Sequence, residues 1–341
     1  MIVSILDSAL PPQHGGPAPE QTRTPPERPI RISELIDRLL RIPEQYRAYT
    51  EDETAAADVH KVPADLLREL LDHGFPHRGT EAGGLRFDRL DLENTGLALR
   101  LPSSRYVAMR RWPRALAAAS GQDRREYRIT IAGKCPDQGH EGTCDFEIDP
   151  DVLAAIDDSP EPTIVNGVLK AGVTIPVHTV EYGPELRALF RCVEDLDFHL
   201  LPVPMPIDLG WTRETGLADC RVAAQLLVAR AAERGLSVRQ ADGCVMLPPF
   251  PMRHYWIEVL ADDSGWAVAD PFWFQSLARW GVVEPGQFPI ESSPAGLLWK
   301  LYESNPLITL PLVRHAGRPA DCLFAVSPVR PPEQDRPDQG R

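Results

Sequence analysis

Three residues far apart in the chain have the types and settings that acyl chemistry needs. Cys220 stands at the head of Cys220-Arg221-Val222-Ala223-Ala224-Gln225-Leu226-Leu227, an Ala- and Leu-rich run that continues to Gly235. Such a run reads as a helix with the cysteine at or near its first turn and a glycine as its stop. The unpaired amides of a helix start, and the positive end of its dipole, favour the thiolate in which cysteine attacks a carbonyl carbon. The same amides can hold the oxyanion that such an attack creates.

Downstream, Arg253-His254-Tyr255-Trp256-Ile257-Glu258-Val259-Leu260 and Trp266-Ala267-Val268-Ala269-Asp270-Pro271 are β-rich runs on either side of an Asp/Ser/Gly turn, which predicts a hairpin. Alternation along a strand puts His254, Trp256 and Glu258 on one face. Pairing across a turn of this length sets 256 near 270 and 254 near 272, or slightly shifted by a bulge, so Asp270 is expected to lie beside His254. A thiol, an imidazole and a carboxylate that orients the imidazole make a nucleophile, base and orienter set. Each residue also has a plainer reading. Cysteine in an Ala-rich helix is often a small packing residue, histidine on a strand often belongs to a core, and aspartate before proline often caps. The order and register of all three together favour chemistry.

These segments resemble the transglutaminase-like superfamily: a cysteine opening a helix, His-x-Trp-x-Glu-Val on a strand, and Trp followed by Asp-Pro on the next. The resemblance covers residues 211–273, under a fifth of the chain. It implies an α+β, papain-like core with the cysteine-bearing helix packed on an antiparallel sheet. It further implies Cys220 as nucleophile, His254 as general base and acid, Asp270 as orienter, and no cofactor. Many bacterial relatives carry an arginine directly after the cysteine, as Arg221 is here, but the acidic residue that often follows is replaced by Val222. The glutamine that precedes the cysteine in papain-like enzymes is missing where Glu214 and Thr215 stand, which leaves the backbone amide of Cys220 as the one assigned oxyanion donor. Relatives include protein crosslinkers, peptidases and amide-forming enzymes of bacterial natural-product pathways. The expected partners are an amide or thioester as acyl donor and an amine as acceptor. Water as acceptor gives a peptidase or amidase, and a third alternative is a noncatalytic cleft for a peptide or carrier protein.

Trp211, Trp256 and Phe250 are the expected lining of an apolar acyl pocket. Residues 243–252, with Pro248, Pro249 and Pro251 around Phe250, read equally as a lid and as a rigid connection. Cys135, His140 and Cys144 cluster in sequence, but three ligands without a Cys-x-x-Cys pair argue for a disulfide or two thiols over zinc, so no metal is expected. Cys192, Cys244 and Cys322 read as packing residues.

The 341 residues suggest two lobes. The expected division is a disordered Pro-rich lead at 1–30, an N-terminal mixed α/β lobe at 31–200, the transglutaminase-like domain at 201–327 after a proline cluster at 201–206, and a loose tail at 328–341. Within the first lobe, helices are expected at 32–40, 62–73, 111–119 and 184–194, strands within 84–101, and a hairpin from 127–132 to 145–148. A net charge of −13 without a basic stripe argues against nucleic acid. No apolar run approaches the roughly 18 residues of a membrane span, and no basic leader opens the sequence, so no membrane partner and a reducing cytoplasmic location are expected.

Overall fold

A computed structural model describes residues 29–329 apart from 82, 120–122, 138–143, 159, 179, 249–250, 262–264 and 304–310. Almost all of the expected lead and tail, together with His140 and Phe250, lies outside the described residues. The chain is α+β with several antiparallel sheets.

At the centre is a four-stranded antiparallel sheet in the order Trp266–Ala269, Met252–Leu260, Val238–Val245, Leu298–Glu303. The hairpin register pairs Ile257 with Ala269 and Glu258 with Val268, so its continuation sets 256 opposite 270 as the alternation predicted. Both faces of the sheet are covered, which is why its strands read as nearly continuous apolar runs. Tyr255, Ile257 and Val259 pack against Ala223, Leu226 and Leu227 of the helix Cys220–Glu233 and against Phe190 of the helix Pro184–Phe190. Each buried leucine contributes about 1.5–3 kcal/mol. Gly235, at φ +68°, ends the Cys220 helix in a conformation that disfavours a side chain.

The other face carries Ala241, Val245 and Trp256. Over them lie Trp273, Phe274 and Leu277 of the helix Pro271–Arg279, and Tyr106, Met109 and Trp112 from the helices Ser104–Met109 and Trp112–Ala119. Gly243 pairs with His254, and a Cβ there would collide with the Trp299 carbonyl oxygen and stand 2.8 Å from the Trp256 ring. Only glycine lets the indole lie flat across the strand behind the histidine.

Two expectations are corrected, and one sheet spans the expected division at 200/201. The strand Arg124–Gly133 runs between Val168–Pro176 and Cys322–Pro328, so the last strand of the chain completes a sheet begun in the first half. The hairpin from 127–132 to 145–148 does not form. Its first arm finds a full-length apolar partner in Val168–Pro176, while Phe146–Ile148 pairs with Val313–His315. Within 84–101 only Leu85–Asp88 is a strand. Asp88 then caps the helix Arg89–Ala98 by accepting from the amides of Leu90 at 2.8 Å and Asp91 at 3.1 Å. The helices Ile32–Leu40, Ala64–Asp72 and Trp112–Ala119 lie where periodicity put them. Among the described residues no helix is long and apolar enough to cross a membrane.

Candidate active site

Cys220 is the first residue of its helix. Asp219 is the N-cap, its carboxylate accepting from the Val222 amide at 2.9 Å, and Arg221 Nη2 lies 3.8 Å from the same carboxylate. Burial pushes the Asp219 carboxyl up. The amide of Cys220, at the first helical position, has no intrahelical acceptor and is a donor for an oxyanion.

His254 stands near the start of the strand Met252–Leu260 and is buried. Asp270 ends the hairpin and caps the next helix: Oδ1 accepts from the Trp273 amide at 3.0 Å, and Oδ2 makes a short contact with His254 Nε2. One carboxylate therefore starts a helix and orients the imidazole. The ring is held between two indoles, stacked on Trp256 at a centroid distance of 6.3 Å and tilted against Trp273 at 5.8 Å. With Nε2 engaged by Asp270, Nδ1 is the ring nitrogen left for the Cys220 sulfur, which lies within hydrogen-bonding reach of the imidazole. Burial alone would push His254 down. The charges of Asp270 and then Cys220 outweigh it and carry the ring up to about 10. At neutral pH the ring is an imidazolium, poised to stabilise a thiolate and to hand a proton to a leaving group.

Cys220 and His254 open onto a cavity of about 420 Å³. Its lining includes Leu97, Met109 and Trp112 from the helices of the first half of the chain, and Trp273 and Trp280 from the helix after Asp270 and its end. Asn94 ties its helix to the chain just after Asp197–Phe198 by clamping the backbone of Leu200, donating at 3.1 Å and accepting at 2.7 Å, while the Tyr106 hydroxyl donates to the Trp280 carbonyl at 2.9 Å. The same cavity contains a polar corner: Glu93 between Arg89 at 2.8 Å and Arg105 at 3.0 Å. Burial works to raise the Glu93 carboxyl, but the Arg105 and Arg89 guanidiniums hold it below the usual range. His60, on the same wall, is pushed down by burial.

The structure thus brings together Cys220, His254 and Asp270. It does not place Trp211 or Trp256 on the cavity. Trp211 packs into the core around the Cys220 helix, and Trp256 is 1% exposed, its ring consumed by packing behind His254. Phe250 is outside the described residues, although the adjoining Pro251 and Met252 do line the cavity. Of the segment 243–252, residues 243–245 belong to a strand, so a lid there can begin only after Val245. The lining that sequence reasoning missed is Trp112, Trp273, Trp280 and the Glu93 corner. Asp88, a capping aspartate ahead of Leu90 and Leu92, was the signal for the helix that carries Glu93.

None of the six cysteines is in a disulfide. Cys244 and Cys322 are buried, and burial pushes both thiols up to about 12, in keeping with packing roles. The expected disulfide alternative for Cys135 and Cys144 is not formed.

No family model, curated protein or solved structure matches this chain, so the chemistry of the site has to be read from its own atoms.

Proposed function

We propose that the protein is a transglutaminase-like cysteine acyltransferase that takes an acyl group from an amide or thioester and passes it to an amine. The observation that supports this reading is the placement of His254 between the Asp270 carboxylate and the Cys220 sulfur on the wall of a cavity. The Cys220 thiolate adds to the donor carbonyl, and the carbonyl electrons move onto oxygen beside the Cys220 amide. Collapse of that intermediate expels the amine or thiol of the donor, which takes its proton from the His254 imidazolium and leaves a thioester on Cys220. An acceptor amine then attacks the thioester and gives its proton back to His254. The C–S bond breaks, and the thiolate is regenerated beside the imidazolium.

The apolar part of the lining, Leu97, Met109, Trp112 and Trp273, suits the carbon chain of an acyl group, and the acceptor, amine or water, is decided by experiment. The test uses N-acetylcysteamine thioesters of short aliphatic and aromatic acids, with and without a primary amine, followed by intact-protein mass spectrometry. An acyl adduct on Cys220 that disappears with formation of the amide supports transfer. Free acid as the sole product, with amine present, assigns hydrolysis instead. Turnover by Cys220→Ala at the wild-type rate removes both readings.

A further inference from the structure

Three side chains with metal-ligating atoms converge from separate parts of the chain. The sulfurs of Cys135 and Cys144 and a ring nitrogen of His315 all lie within 4.8 Å of one another, and all three residues are half-buried. None lines the cavity that holds Cys220. We propose that Cys135, Cys144 and His315 form a structural zinc site.

The convergence is built by the sheets. Cys135 lies two residues past the strand Arg124–Gly133, and Cys144 lies two residues before Phe146–Ile148. His315 ends Val313–His315, directly opposite Phe146 in the sheet, with the two rings 5.1 Å apart. The Phe146 ring in turn rests on Gly133 and Gly167, where a Cβ at either position would collide with it. Beside Cys135, the Lys134 amide donates to the Asp321 carbonyl at 2.7 Å. Each ligand is therefore tethered within two residues of a paired strand.

The chemistry of the set selects the metal. Two thiolates and an imidazole suit zinc, a borderline-soft ion, and do not suit magnesium or calcium, which take oxygen ligands. Tetrahedral zinc, with bonds of about 2.3 Å to sulfur and 2.0 Å to nitrogen, spaces its ligand atoms about 3.5–3.8 Å apart. Side-chain rotations of about 1 Å would close the present triangle onto an ion. Binding converts two thiols to thiolates and releases two protons to solvent, with no change of oxidation state. A disulfide would use both sulfurs but give no role to the imidazole that a distant strand brings to them. Three ligands leave one of the four positions for water or another side chain. The ion would staple the strand Val313–His315 to the ends of two strands from the first half of the chain.

The test begins with wild-type protein purified under reducing conditions without chelator. Expected are about one zinc per chain by inductively coupled plasma mass spectrometry and, after exchange, a thiolate-to-cobalt charge-transfer band. Removal of the metal should lower Tm by several degrees, and added zinc should restore it. Cys144→Ser and His315→Ala should each lose the metal, whereas Cys220→Ala should keep it. Metal-free protein whose Tm ignores added zinc overturns the proposal, as does cobalt binding without the charge-transfer band. Equal zinc content in wild type, Cys144→Ser and His315→Ala overturns it as well, as does a native Cys135–Cys144 disulfide, read as a mass two hydrogens lighter. Because the wild-type measurements need no variant, poor folding of His315→Ala does not protect the idea.

Discussion

Replacing Asp270 by Asn isolates the charge that organises the site. Asparagine is as good an N-cap as aspartate, so the helix Pro271–Arg279 and the Trp273 wall should remain in place. What disappears is the first of the two negative charges that carry His254 from 6.5 to about 10; burial, which acts the other way, stays. The ring should therefore fall toward its ordinary value. A ring returned to 6.5 would be about 3% protonated at pH 8, against nearly all at about 10, a loss of about 30-fold, equivalent to about 2 kcal/mol. The asparagine amide also presents an N–H to Nε2, which moves the neutral ring's proton to Nδ1 and turns the wrong tautomer toward the sulfur. The assay is an NMR titration of ring-labelled histidine, with the resonance assigned by His254→Gln, alongside the rate at which iodoacetamide labels Cys220 at pH 8. If His254 in Asp270→Asn still titrates within about half a unit of wild type, the carboxylate is not what charges the ring, and the reasoning fails.

Three further outcomes follow from the same geometry. Gly243→Ala should destabilise the protein by about 2–4 kcal/mol in a denaturant titration, because the Trp299 carbonyl on the neighbouring strand cannot yield to a Cβ; an unchanged midpoint would show that the sheet relaxes there. Asp242→Ala should cost about 3–5 kcal/mol, since it strands the buried Arg253 guanidinium now held at 2.7 Å, and a loss below about 1 kcal/mol would mean that Arg253 finds water. His254 has a folded value raised above its unfolded one, so its contribution to stability is full below about pH 6.5 and is lost as pH rises through about 10. The denaturant midpoint of wild type should fall over that interval more steeply than that of His254→Gln, and parallel curves would contradict it.

What could be read from the sequence was governed by how local the deciding interactions are. The Cys220 helix and the hairpin carrying His254 and Asp270 are each specified within their own segments, by an Ala-rich run with a glycine stop and by alternation around a short turn. The hairpin's pairing could therefore be expected near the observed register. The strand Arg124–Gly133 could not, because its partners are Val168–Pro176 and Cys322–Pro328, and the nearby Phe146–Ile148 offered a closer but shorter match. For the same reason His315 could not be joined to Cys135 and Cys144 from spacing. The segment 84–101 was misread because its helix buries Asn94 and Thr95 as well as leucines, which blurs the helical stripe; Asp91 there is paired with Arg47 at 2.7 Å. Trp256 illustrates a different limit. Its place on the His254 face was legible, but whether an indole faces a cavity or a glycine depends on Gly243 across the sheet.

For this chemistry the sulfur at 220 and the imidazole at 254 must act as one unit. The rate of Cys220 alkylation by iodoacetamide at pH 6, followed by peptide mass spectrometry in wild type and in His254→Ala, reports this. The expected result is labelling of Cys220 ahead of the other five cysteines in wild type, and a loss of at least about tenfold in the variant, where no imidazolium supports the thiolate. Equal rates in the two proteins, or a Cys220 no faster than Cys192, would show that the two groups do not cooperate.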